Sequence, residues 1–176
     1  MACDIQRVID VAKSQIGYLE KETWEHLDDF TSNAGDNNYV KYSRDLAVYN
    51  FYNSSKKGVA WCDIFVDWCF MTAYGVNAAY KLLCQPKKSC GAGCKYSANY
   101  YKSKKRWYTS NPQPGDQIFF WPKDQIGGSS MQHTGLVVDV DDTYVYTVEG
   151  NTSADKGVVW NGGSVNDKKY KLNYNR

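Results

Sequence analysis

The sequence predicts an α+β domain in which helices come first and an antiparallel sheet follows. Three observations carry this. The first half of the chain has apolar residues at helical spacing, the second half has them in alternation, and Pro112-Gln-Pro-Gly115 marks the change between the two. At 176 residues the chain fits one domain, read here as spanning 1–176, and is long enough to bury a core without disulfides. Hydrophobic residues at 43% and charged residues at 23% exclude long disorder and coiled coil.

The elements follow in order. Val8, Ile9, Val11, Ala12 and Ile16 recur as one helical stripe, and Gly17 is a natural stop. Thr23 to Phe30 reads as a short charged helix, and Thr31 to Asn38 as a loop by its Ser, Asn, Gly and Asp content. Tyr42 to Tyr52 is either a further helix or an irregular segment. From Ala60 to Gly75, Ile64, Trp68 and Met71 share one face, with Phe65, Cys69 and Thr72 beside them. Asp63 and Asp67 stand four apart on another strip, which describes a mostly buried helix with Cys62 at or just before its first turn. Strands are expected at Asp116 to Trp121, His133 to Val140 and Tyr144 to Glu149, with weaker candidates at Val158 to Trp160 and Tyr170 to Tyr174. Pro122 to Gln132, with Gly127-Gly-Ser-Ser130, reads as a mobile loop just before a histidine.

Charge and composition remove several function classes. Lys plus Arg is 21 against 19 acidic residues, too even for a protein that grips nucleic acid by phosphate charge. The most apolar stretch, Val59 to Val76, contains Asp63 and Asp67, so no membrane span is expected. No basic segment followed by an apolar run opens the chain, so no signal peptide is read there. The 15 Tyr, 6 Trp and 6 Phe suit a surface for sugar or peptide, and suit a core equally well.

Six cysteines and two histidines hold the nucleophilic chemistry. A helix N-terminus favours a thiolate, because unpaired N–H groups and the macrodipole stabilise an anion. Cys62 occupies that position, though a small buried cysteine would look the same in sequence. Cys69 is seven residues further on, on the buried face, and reads as core. Of the histidines, His26 stands in the charged stretch Glu25-His-Leu-Asp-Asp29 and reads as structural. His133 opens a strand and shares a face with Asp139 by its even spacing. If Val140 pairs with Tyr144, His133 falls opposite Asn151 with Glu149 diagonal to it; a slip of two puts Glu149 directly opposite. Either register offers the imidazole an orienting acid or amide, the alternative being a solvated strand end at Glu149 and Asn151.

Trp61-Cys-Asp-Ile-Phe-Val-Asp-Trp-Cys69, Pro114-Gly-Asp-Gln-Ile-Phe-Phe120, His133-Thr-Gly-Leu-Val137 and Val148-Glu-Gly-Asn151, in that order, resemble the CHAP domain of peptidoglycan hydrolases. Asn37-Asn-Tyr-Val-Lys-Tyr42 resembles its N-terminal segment, so the likeness runs from about Val8 to Tyr174. The resemblance implies a papain-like (NlpC/P60-like) fold that cuts an amide bond of the bacterial cell wall, as an N-acetylmuramoyl-L-alanine amidase or as a stem-peptide or cross-bridge endopeptidase. It implies Cys62 as nucleophile, His133 as general base, Glu149 as third member of the triad and Asn151 as a supporting polar residue. It also implies a monomer whose partner is peptidoglycan. The setting would be a phage lysin released from the host cytoplasm, a secreted enzyme with its signal removed, or an antibacterial toxin. The rivals are a non-catalytic wall- or glycan-binding module and a cysteine protease of proteins. Some members carry an Asp-rich calcium loop, but Asp36-Asn-Asn-Tyr39 supplies a single carboxylate, so no metal or cofactor is expected. Cys84, Cys90 and Cys94 lack the Cys-x-x-Cys pairing of zinc sites and are expected to be structural cysteines of one loop, reduced or disulfide-linked.

Overall fold

The computed structural model describes residues 4–87, 90–121 and 131–172. Helix α1 (Ile5–Lys13) begins where the Asp4 carboxylate accepts the Gln6 N–H at 3.1 Å, and it buries Val8, Ile9 and Ala12. Helical geometry stops short of Ile16; turns carry the chain to Gly17, at φ 91°. Helix α2 (Lys41–Val48) settles the alternative for that segment and buries Tyr42, Ser43 and Leu46.

Thr23 to Phe30 does not form the expected helix. The chain doubles back instead, with Leu19 N–H donating to the Phe30 carbonyl and Glu22 N–H to that of Asn33. His26 sits at φ 54°, a left-handed conformation that a helix interior does not admit, and Nδ1 contacts Asp29 at 3.2 Å on the surface. The segment has mixed charges and no apolar stripe, so long-range pairing competes successfully for its backbone.

Helix α3 (Cys62–Tyr74) is buried on nearly all sides, as its apolar residues all round require. It packs against α1, α2, α4 (Val76–Leu82) and one face of the sheet. The main core gathers Ile64, Phe65, Trp68 and Cys69 of this helix with Leu136, Val138, Val148 and Val165 of the strands. A fifth helix, α5 (Cys94–Ser103), leads towards the sheet. Cys69 is fully buried in that core, so Cys69→Ala is expected to lower unfolding free energy by about 1 kcal/mol, read by denaturant titration, without changing activity.

The sheet is antiparallel, in the order β1 (Gln117–Phe120), β2 (His133–Val140), β3 (Tyr144–Thr152) and β4 (Ser164–Lys171). The fourth strand lies between the two weak candidates and overlaps the second only at Tyr170 and Lys171. Its sequence, Ser-Val-Asn-Asp-Lys-Lys-Tyr-Lys, is charged as an edge strand tends to be. Val158 to Trp160 is not a strand.

Close approach of β3 to the start of α3 depends on Gly150. A Cβ there would lie 2.6 Å from Phe65 Cβ and 2.7 Å from Trp61 Cζ3. Gly150→Ala is therefore expected to destabilise the fold by about 1–3 kcal/mol, measured by thermal or chemical unfolding, and to push the β3 end away from Cys62. Among the described residues, no helix is long and apolar enough to cross a membrane.

Candidate active site

Cys62 is the first residue of α3 and is 5% exposed. Trp61, immediately before it, offers no side-chain oxygen to the first turn, so no cap consumes those N–H groups. Trp61 is itself pinned, since its indole N–H donates to Glu20 Oε2 at 2.7 Å. The position of the sulfur is thus set from both sides, by the helix start and by a buried indole.

His133 opens β2 and its side chain is fully buried. The register that places it is mixed. Val140 pairs with Val145, not Tyr144, but a bulge between Val137 and Asp139 takes up the difference, and Leu136 pairs with Val148. Beyond the bulge the strands therefore run in the register that a Val140–Tyr144 pair would have set. Gly135 lies against Glu149, whose Cγ is 2.5 Å from where a Gly135 Cβ would stand. Glu149 is thus the diagonal neighbour of His133, and its Oε2 lies 2.8 Å from Nε2. The bulge also breaks the even-step parity of β2. Val137 and Val140 join one apolar cluster, and Asp139 is exposed and accepts the Val140 N–H, so the expected shared face of His133 and Asp139 does not form.

Glu149 is fixed through its other oxygen, which accepts the Thr147 hydroxyl at 2.6 Å and the Tyr170 hydroxyl at 2.9 Å. Asn151 is differently placed. It adopts φ 56° where the β3–β4 register shifts, and neither of its buried side-chain polar atoms has a hydrogen-bond partner. The orienting bond to the imidazole is Glu149's, and Asn151 makes none to it.

The other imidazole nitrogen, Nδ1, is buried without a hydrogen-bond partner. Cys62 and His133 nevertheless influence each other strongly. The Cys62 thiol is held well below its ordinary pKa by hydrogen bonding from Cys94, with His133 and the Asp63 N–H adding to this against the cost of burial. Burial alone would lower the His133 pKa, but Cys62 and Glu149 outweigh it and push it up to about 9. A thiolate beside an imidazolium is the pair this arrangement favours.

Cys94, expected as one of three cysteines in a single loop, is instead the first residue of α5, with its Sγ 3.8 Å from that of Cys62. Hydrogen bonding with Cys62, reinforced by burial, holds the Cys94 thiol protonated. Cys84 follows α4 and Cys90 donates its S–H to the Phe51 carbonyl at 3.0 Å; both are free thiols.

Asp63 explains how two helix starts meet. It accepts the Gly93 N–H at 2.6 Å, the Ser97 hydroxyl at 3.0 Å and the Gln117 amide at 2.9 Å. Gln117 also donates to Thr134 at 3.1 Å, next to His133. Burial raises the Asp63 pKa to about 6 against these donors. Asp67, one turn on, is held by the Tyr52 hydroxyl at 2.6 Å and the Gln85 amide at 2.8 Å. The second strip of α3 is therefore a buried polar clamp. Beside Cys62 lies an apolar cluster of Cys94, Ala98 and Met131, with Trp107, Phe119 and Trp121 packed on it. Residues 122–130 of the Gly-rich loop lie outside the described residues.

The CHAP domain family model matches residues 53–151, more than half of the chain. The chain belongs to the CHAP family. No curated protein and no solved structure matches it. CHAP domains are in general cysteine- and histidine-dependent amidohydrolases and peptidases. The matched span contains Cys62, His133, Glu149 and Asn151, and it contains Cys94 and the Asp63 clamp as well. It leaves out α1, α2 and β4, so the Tyr170 hydroxyl that steadies Glu149 reaches the site from outside the CHAP match.

Proposed function

We propose that the chain is a peptidoglycan hydrolase that cuts an amide bond of the bacterial cell wall, either between muramic acid and L-alanine or within the stem peptide or cross-bridge. The observation that carries this is a thiol at a helix start electrostatically coupled to a buried imidazole whose Nε2 is held 2.8 Å from a carboxylate. A pure wall-binding module has no use for such a set.

The Cys62 thiolate attacks the amide carbonyl carbon, and a C–S bond forms as the oxygen takes up negative charge. The uncapped backbone N–H groups opening α3 are offered as donors to that oxyanion. His133 gives its proton to the leaving amine, the C–N bond breaks, and a thioester remains on Cys62. His133, now neutral, takes a proton from water as it attacks the thioester; the C–S bond breaks and the new carboxylate leaves. Glu149 holds the imidazole ring and its charge through this cycle, while Thr147 and Tyr170 hold Glu149. In this reading the protein meets its substrate as a phage lysin released from the host cytoplasm, or as a secreted enzyme.

Mass spectrometry of purified peptidoglycan after digestion tests the reading and identifies the bond. New free amino groups on L-alanine would mark an amidase; new ends inside the stem or bridge would mark an endopeptidase. Unchanged wall together with cleaved casein would make it a protease of proteins instead. The depressed thiol also predicts selective labelling: iodoacetamide at neutral pH is expected to alkylate Cys62 before the other described cysteines, with activity lost in step, as followed by peptide mapping.

A further inference from the structure

The hydrolytic cycle leaves the Cys94 thiol unused, yet it is built into the site. Its sulfur is 3.8 Å from that of Cys62, and the two residues are 7% and 5% exposed. Asp63, the residue after Cys62, holds both the N–H of Gly93, just before Cys94, and the Ser97 hydroxyl one turn into α5. The two thiols are thus brought together by a buried carboxylate clamp rather than by two side chains meeting at a flexible surface. A disulfide requires the sulfurs to close from 3.8 Å to about 2.05 Å, an approach of under 2 Å. The other thiols in the described residues lie elsewhere: Cys69 is fully buried in the main core, Cys90 is bonded to the Phe51 carbonyl, and Cys84 follows α4 with its Sγ 4.0 Å from the Leu82 carbonyl.

We propose that Cys62 and Cys94 form a reversible thiol–disulfide pair, in which a hydroperoxide oxidises Cys62 and Cys94 resolves the product, switching the nucleophile off until a dithiol restores it. In the first step the Cys62 thiolate attacks the terminal peroxide oxygen. An S–O bond forms, the O–O bond breaks, and the departing alkoxide (or hydroxide) takes a proton from His133. In the second step the Cys94 sulfur attacks the Cys62 sulfur. An S–S bond forms, the S–O bond breaks, and hydroxide leaves with the Cys94 proton as water. Two electrons pass from the thiol pair to the peroxide. Reduction by a dithiol returns them by exchange, leaving the reductant as a disulfide. The pair also shields Cys62 from further oxidation, since a sulfenic acid captured as a disulfide does not proceed to the irreversible sulfinic acid. The chemistry of the pair stands on the sulfur geometry; its consequence for wall cleavage rests on the function proposed above.

The test is to treat the fully reduced protein with equimolar hydrogen peroxide, block remaining thiols by alkylation, and map the peptides by mass spectrometry. The expected result is a loss of two hydrogens from the intact mass and a peptide joining Cys62 to Cys94, both reversed by dithiothreitol. Wall lysis, followed in parallel, should be lost and regained with the link. In Cys94→Ser no link should form, and excess peroxide should carry Cys62 to a sulfinic acid that dithiothreitol does not reverse. A parent map in which Cys94 stays alkylatable while Cys62 is oxidised overturns the proposal, and it does so whether or not the serine variant folds. A link that forms in a protein with no wall-lytic activity would sustain the thiol pair and count against the hydrolase reading alone.

Discussion

Replacing Cys62 with alanine is expected to lower the rate of wall cleavage by about 10³-fold or more, because without the sulfur no thioester can form and the covalent route is gone. The fold should survive. The lost group is one small, nearly buried side chain at the rim of a minor apolar cluster, a change costing on the order of 1 kcal/mol. Release of muropeptides from purified wall measures the first effect, and circular dichroism with thermal unfolding the second. A folded Cys62→Ala protein that cleaves at the parent rate would move the chemistry to another site.

His133→Ala is expected to be almost as damaging, by about 10²–10⁴-fold, since in the proposed cycle one ring both sustains the thiolate and protonates the leaving amine. It also strips the buried Glu149 Oε2 of its imidazole partner, so part of the loss will appear as instability. Glu149→Gln separates the two effects. It keeps an acceptor for the ring and removes the charge, and it should be milder than His133→Ala. Asn151→Ala, at a residue with no bond to the imidazole, should be the mildest of the set.

The pH dependence has a definite sign. Although burial acts to lower it, the His133 pKa stands at about 9, above its ordinary 6.5, because of Cys62 and Glu149. The imidazolium therefore persists through neutrality, and kcat/KM should fall as pH rises through about 9. In Glu149→Gln that alkaline fall should move towards neutral pH. The same raised pKa contributes stability that is complete below about pH 6.5 and is lost as pH climbs through about 9. An alkaline limb at the same pH in parent and variant would show that Glu149 does not act on the ring.

Several parts of the site were legible in the chain itself. Cys62 stands where a polar, glycine-bearing segment gives way to an apolar run, which is how a helix start looks in sequence. His133 and Glu149 lie on consecutive alternating segments joined by Asp141-Asp142-Thr143, so a hairpin had to bring them near each other whichever register held. Thr147, two residues before Glu149 on the same strand face, could have been found by the same parity. Helix α4 could have been read too, since Val76, Ala79, Tyr80 and Leu83 keep the helical period.

Other features belong to the tertiary structure alone. A bulge between Val137 and Asp139 leaves no mark in composition, yet it decides which residue of β3 reaches the imidazole and turns Asp139 away. Tyr170 comes from a charged edge strand with weak alternation, and its hydroxyl meets Glu149 only because β4 pairs with β3. Cys94 looks like a loop cysteine until Asp63 accepts the Gly93 N–H and sets one helix start against another. Local sequence determines period, and period determines helix, strand and face; that was sufficient to nominate Cys62, His133 and Glu149. Which groups then touch depends on buried hydrogen bonds between segments some thirty residues apart, and their cost when unmade is what holds the sulfur of Cys94 beside that of Cys62.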